Sequence, residues 1–149
     1  MNAFLAVTIL ITVRLSDGRD INMSVERYLM GVLPAEMSYD ADMDALIAQG
    51  VFCRTYAYCR LQHPRDSEFH IYSIGRRDQA YVPSKRHSRT DAAIRWSIGT
   101  IIKGDDPNCQ HAQYNRQTQE EILSLAEEGL SWREILHTLG KEVVFVRTE

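Results

Sequence analysis

Two apolar patterns of helical period, joined by a short acidic turn, fill Val25 to Leu61 and limit what this chain can fold into. In the second pattern Met43, Leu46, Ile47, Val51, Arg54, Tyr58 and Leu61 follow the three-and-four spacing of a helix stripe that must be buried against another element. Gly50 lies inside it, where glycine costs roughly 1 kcal/mol against alanine, so a closely packed neighbour is expected there. Arg54 is a cation on the apolar stripe, which requires a carboxylate partner or a stem that carries the charge to water. The first pattern opens at Ser24, a residue type suited to the N-cap, and runs through Tyr28, Leu29 and Val32 to about Leu33. Pro34 is expected to end it, having no interior hydrogen-bond donor. Glu36 follows in apolar company. Burial disfavours a charged carboxylate and raises its pKa, which is how a general acid stays protonated near neutral pH. A helix-end glutamate facing water is the other reading of the same spacing.

Upstream, the apolar run of MNAFLAVTILITVRL stops at Arg14, too short to cross a bilayer as a helix. It also lacks the basic start and small-residue cleavage site of a signal peptide. Its β-branched residues Thr8, Ile9, Ile11, Thr12 and Val13 favour a strand from about Ala6 to Leu15. Asp17-Gly18 then turns the chain, and Asp20 to Met23 returns as the second strand of a hairpin. Downstream, His63 to Arg89 is polar and irregular, with a short strand expected near Ala80 to Val82. Its Arg76, Arg77, Lys85, Arg86 and Arg89 read as a solvated basic surface.

A helix from about Asp91 to Ser97 and strands near Thr100 to Lys103 and His111 to Asn115 follow, then two helices and a closing strand, Val143 to Arg147. Thr118 with Glu121, and Ser131 with Glu134, have the spacing of capping boxes, and Gly129 supplies the turn between the helices they open. The pair imitates a helix-turn-helix. Its second helix, Trp132 to Leu139, offers only Arg133 and His137 to a base edge, few donors for a recognition helix. With 17 basic and 20 acidic residues among 149 and a net charge of −3, the chain has no overall basic field, and no nucleic-acid partner is expected.

Cys53, Cys59 and Cys109 are sparse and odd in number, which is not a disulfide framework. Cys53 and Cys59 fall on different faces of the predicted helix, so buried free thiols are expected. Cys109 and His111 together fall short of the ligands a tetrahedral metal site needs, and no metal or other cofactor is expected.

INMSVERYLMGVLPAEM followed by DALIAQGVFCRTYA resembles the core signature of the stage II sporulation protein D family, which reads E-Y-L-x-G-V, A-E-M, then E-A-L-K-A-Q-A-V-A-A-R-T-Y-A. Asp78-Gln79-Ala80-Tyr81 is similar to that family's Q-V-Y element, and Ala112-Gln113-Tyr114 to its A-x-Y strand. Thr90 to Ile94 with Gly99 to Ile102 resembles its A-V-x-x-T-x-G-x-x-L segment, and Leu125 to Leu136 its closing A-x-x-G-x-S-Y-x-E-I-L. The resemblance implies a lytic transglycosylase that cuts peptidoglycan glycan strands between N-acetylmuramic acid and N-acetylglucosamine, preferring strands stripped of peptide stems. It makes Glu36 the catalytic acid/base. It puts Arg54, Tyr56, Gln79, Tyr81, Tyr114 and Gln119 among the substrate contacts. It also implies an extracytoplasmic, wall-associated location, with no transmembrane segment in this chain.

Two departures from the family pattern stand out. Some members bind zinc through cysteines and a histidine ahead of Q-V-Y, whereas Phe69 to Asp78 holds only His70. The long segment with a glycine pair and a G-x-S-Q-x-G-A motif is replaced by Asn115 to Glu121, where only Thr118-Gln119 echoes the S-Q. A cleft left open by that loss favours the alternative of a non-catalytic wall-binding module, similar to the family's enhancers of a cell-wall amidase or other wall hydrolase. The expected architecture is a single α+β domain over 1–149: a small, mainly antiparallel sheet packed against a helical pair. It divides into an N-terminal hairpin (5–23), a catalytic helical segment (24–62), a loop and strand region (63–115) and C-terminal helices with a strand (118–149).

Overall fold

A computed structural model describes residues 8–146, so Ala6 and Val7 of the first expected strand and Arg147 of the last lie outside the described residues. The architecture is α+β. The hairpin forms as β1 (Leu10–Arg14) and β2 (Asp20–Ser24), paired antiparallel, with Gly18 at φ +88° in the turn. Ile11 and Val13 point inward and are fully buried, which is the alternation a one-sided sheet demands. The third strand, β3 (Ile71–Tyr72), joins β1 in parallel, giving the order β2-β1-β3. No strand forms at Ala80 to Val82. There the Tyr81 N–H donates to Ser73 O and the Val82 N–H to Gly31 O, so the stretch is held by a loop and a helix, not by a ladder.

Helix α1 (Val25–Glu36) starts where expected, the Ser24 hydroxyl accepting from the Arg27 N–H at 3.2 Å. It continues through Pro34 to Glu36, beyond the expected stop. Proline in the final turn removes one hydrogen bond, and the Met37 N–H still closes the helix onto Leu33 O at 3.0 Å.

Helix α2 (Met43–Gln62) is the axis of the molecule: every residue from Ala45 to Ala57 is buried. A single stripe was too narrow an expectation, because α1, α3 (Ser88–Trp96), β4 (Thr100–Ile102), α4 (Arg116–Glu127) and α5 (Trp132–Thr138) surround α2. A helix packed on all sides needs no polar face. The close neighbour expected at Gly50 is Ile94, whose Cδ1 would stand 3.2 Å from an added Cβ.

The C-terminal elements hold two corrections. His111 to Asn115 is not a strand; Cys109 takes φ +60° and leads into a 3-10 turn over Gln110–Ala112. The cap of α4 lies earlier than Thr118, with the Asn115 side chain and Thr118 forming the reciprocal pair. The box of Ser131 and Glu134 forms as read, Gly129 (φ +91°) makes the turn before it, and β5 (Val143–Phe145) pairs antiparallel with β4.

Cys59 and Cys109 are not free thiols. They form a disulfide with 5.8 Å between their Cα atoms, and only Cys53 remains free, buried. Sequence spacing could not show this, because the pairing depends on how the loop after β4 returns to the end of α2. The bridge spans a sequence separation of 50. Chain-entropy arguments put its contribution at about 4 kcal/mol, so a Cys59→Ser/Cys109→Ser variant should show that loss as an earlier midpoint in urea unfolding. An unchanged midpoint would mean that the bridge is energetically idle.

Candidate active site

Glu36 ends α1, partly buried, where three adjoining depressions of about 320, 300 and 490 Å³ meet. The first and second share Glu36, Arg116 and Gln119; the second and third share Glu36, Met37 and Ser38. Together they make one groove that passes over the carboxyl group. Burial pushes the Glu36 pKa up, and hydrogen bonds from Gln119 and Tyr114 act against that shift. Its place at a helix C-terminus, the negative end of the dipole, also disfavours the ionised form. Gln119 Nε2 lies 3.2 Å from both Glu36 O and Glu36 Oε2, clamping backbone and side chain together. The Thr118-Gln119 remnant therefore reaches the acid: Thr118 completes the capping box opened by Asn115, and Gln119 faces Glu36.

The other expected site residues divide into two groups. Tyr56, Gln79, Tyr114 and Gln119 all line the first depression with Glu36. The Tyr56 hydroxyl is hydrogen-bonded to Asp78, and burial, with that carboxylate beside it, raises its pKa. Gln79 is 1% exposed and ties the floor together, accepting from Tyr28 Oη at 3.0 Å and donating to Cys53 O at 3.1 Å. Tyr114 packs edge-on against Phe52, and burial lifts its hydroxyl well above the ordinary tyrosine value. Beneath it the Cys53 thiol, 3.6 Å from Tyr114 Oη, is pushed up to about 12 by burial and is an inert wall.

Arg54 and Tyr81 are not brought to the groove. Arg54 is fully buried and uses all its N–H groups inside the protein. Nε and Nη2 form a fork onto Glu26 at 2.9 and 2.8 Å, Nη2 also reaches Ile94 O, and Nη1 reaches Ser97 Oγ and Thr100 O. Of the two ways open to Arg54, a carboxylate partner or a stem that reaches water, the structure takes the first, and the partner is Glu26. Tyr81 lies flat on α1: an added Cβ at Gly31 would sit 2.4 Å from its ring, and Tyr28 stacks on it at 5.5 Å.

Sequence reasoning missed the polar wall. Arg65, Arg76, Arg77, Asp78, Asn115 and Arg116 line the same depression as Tyr56 and Tyr114. Asp78 has no exposed side-chain surface. It accepts from Arg65 and Tyr56, and its second oxygen accepts from the Tyr72 N–H at 2.7 Å. The adjacency of Asp78 to Gln79 was the available signal. Of the basic loop, Arg76 and Arg77 border the groove, and Lys85 lines its third depression. Arg86 pairs with Asp91, and Arg89 donates to Tyr39 O and Ala41 O, holding the acidic turn.

His70 Nδ1 already accepts from the Thr12 N–H at 2.9 Å, Cys109 is in the disulfide, and the described residues hold no cluster of metal-ligating groups. Among the described residues, no helix is long and apolar enough to cross a membrane.

No curated protein matches the chain. A family model described as SpoIID, Stage II sporulation protein, matches residues 20–103, more than half of the 149-residue sequence and inclusive of α1, α2 and Glu36.

Proposed function

The chain belongs to the stage II sporulation protein (SpoIID) family, and from that premise we propose that it is a peptidoglycan lytic transglycosylase with Glu36 as its single acid/base. The observation that carries this reading is a half-buried carboxyl, its pKa raised, where three adjoining depressions meet. Protonated Glu36 gives its proton to the glycosidic oxygen as the bond to the muramyl anomeric carbon breaks through an oxocarbenium-like transition state. The carboxylate left behind takes the proton from that sugar's own 6-hydroxyl, whose oxygen bonds to the anomeric carbon and closes an anhydro ring. No second carboxylate has to activate water. Asp78, beside Glu36 in the same depression, is already held by Arg65, Tyr56 and the Tyr72 N–H, while Asp40 and Glu120 lie exposed further along. The Cys59–Cys109 bridge supports placement in an oxidising, extracytoplasmic setting.

Incubation with peptide-free glycan strands, read by mass spectrometry, tests the reaction: anhydro-muramyl ends are expected. Binding to glycan with no such ends would instead support the wall-binding alternative. A pH profile tests the tuning of the acid. Gln119 donation favours the carboxylate, so Gln119→Ala should raise the Glu36 pKa further and move the alkaline limb of the rate profile to higher pH. A limb that stays in place would separate Gln119 from the acid.

A further inference from the structure

Of the six large hydrophobic side chains exposed among the described residues, four are Trp96, Ile98, Val144 and Phe145. They lie on the turn after α3 and on β5, and the two segments meet where the Phe145 ring covers Gly99; a Cβ added to that glycine would fall 2.9 Å from the ring. Beside them a largely apolar cavity of about 330 Å³ is lined by Ile9, Tyr58, Ile98, Phe145 and the first turn of α1, the end of that helix away from Glu36. Trp96 is 77% exposed and Phe145 65%. The exposed parts of the four residues come to roughly 500 Å², about the apolar share of the ~800 Å² that each partner buries in a standard interface.

The same face carries an open strand edge. In its two-stranded sheet β5 has β4 as its one neighbour. The register sets Ile101 opposite Val144, and the Val146 and Lys103 N–H groups donate to Gly99 O and Glu142 O. The backbone of Val144 is therefore spent on β4, while the N–H and C=O of Val143 and Phe145 point outward. The other described edges are blunted. β2 presents Asp20 and Asn22, and β3 has two residues. The far side of β4 is covered, the Ile102 N–H donating to Thr55 Oγ1 and Arg54 Nη1 to Thr100 O. Val143 to Phe145 carries neither a charge nor a proline, the usual protections of an edge.

We propose that this face is a homodimer interface, in which β5 pairs antiparallel with β5 of a second copy about a two-fold axis at Val144, with Trp96, Ile98 and Phe145 packed around the axis. A two-fold contact needs a surface that complements itself, and this edge does. An axis at Val144 sets Val143 opposite Phe145 of the second copy, and Phe145 opposite its Val143. Outward groups then meet outward groups, and each pair exchanges both of its N–H···O bonds. Glu142 falls opposite a valine, Val146, so no like charges are opposed between Glu142 and Val146. The length of α1, about 18 Å, separates this face from Glu36 and leaves the groove open in the dimer.

Sedimentation velocity of the full chain over a concentration series tests this, and a dimer is expected. Val144→Lys sets two like charges against each other at the axis and should weaken the dimer at least about tenfold. Trp96→Gln should weaken it as well, on a side chain exposed enough for the fold to survive its loss; far-UV circular dichroism melts check both variants. Val144→Cys reads the symmetry. Val144 and its copy form a non-hydrogen-bonded pair, with Cα atoms about 4.5 Å apart, within the reach of a disulfide. Oxidised glutathione should therefore link Val144→Cys into a dimer on a non-reducing gel, and should not link Ser67→Cys, which is exposed elsewhere. A monomer at every concentration overturns the proposal, including one that takes up phosphatidylglycerol vesicles through this face, which makes lipid the occupant. A dimer that both Val144→Lys and Trp96→Gln leave intact, or in which Val144→Cys and Ser67→Cys link equally, overturns it too. None of these outcomes depends on the reaction at Glu36.

Discussion

Glu36→Gln should lower the yield of anhydro-muramyl ends by ~100- to 10,000-fold, the range that a positioned general acid contributes, while the fold survives. Glutamine keeps the shape and can still meet Gln119, but it has no proton to give and no carboxylate to take one back. The same substitution has a second signature. Burial raises the Glu36 pKa above its ordinary value, so the folded state holds that proton more tightly than the unfolded chain does. Below the ordinary carboxylate range both states are protonated and the residue exerts no penalty. As pH rises through that range to the folded pKa, stability is lost. Removing the titrating group should therefore leave Tm unchanged in acid and raise it at neutral pH. A dead enzyme that melts slightly later is the pattern of a site residue held against its own solvation. Full activity in Glu36→Gln ends the proposed mechanism.

The largest loss of stability is expected far from that groove. Glu26→Ala removes the carboxylate that forks onto Arg54 and leaves a fully buried guanidinium without its counter-charge. Breaking a buried pair from one side costs about 3–5 kcal/mol, a large share of what a domain of this size has. The reciprocal change, Arg54→Met, should cost less. The carboxylate it strands is 24% exposed in its side chain and can turn to water, whereas the arginine cannot. Denaturant midpoints for Glu26→Ala, Arg54→Met and the double variant measure this, and the double should recover part of the single Glu26→Ala loss. If Glu26→Ala melts like the unsubstituted protein, the pair is not what holds α1 to α2. Activity per folded molecule should be nearly intact in Arg54→Met, which separates a scaffold arginine from a substrate contact.

What was legible in the sequence was what repeats or caps. The hairpin, both central helices and the Ser131 box follow from spacing and local chemistry, and the structure contains each of them; at Arg54 that chemistry left a carboxylate partner or a stem to water, and the structure takes the first. Glu36 stood out by its apolar company, and its burial agrees. What resisted was assembly across distance. Arg65 and Asp78 lie on irregular segments with no period to read, and Arg116 opens α4. They come together only because Asp78 ties its loop to Tyr56 on α2, and because the disulfide brings the Cys109 segment back to the helix end. Arg54 and Tyr81 failed as contacts for the opposite reason. Their motifs resemble site motifs, but the first is consumed by Glu26, and the second packs its ring against Gly31.

The Cys59–Cys109 bridge has a bearing on how the molecule comes apart. It closes a covalent ring that contains β3, α3 and β4, and the exposed stretch Pro64–Glu68 lies inside that ring. A protease that cuts there produces two polypeptides on a reducing gel and one particle in solution. The arginines of the groove then remain attached on both sides of the cut, Arg65 and Arg76 from the ring and Arg116 from just beyond it. Damage at this exposed loop thus leaves the groove assembled until a reductant arrives.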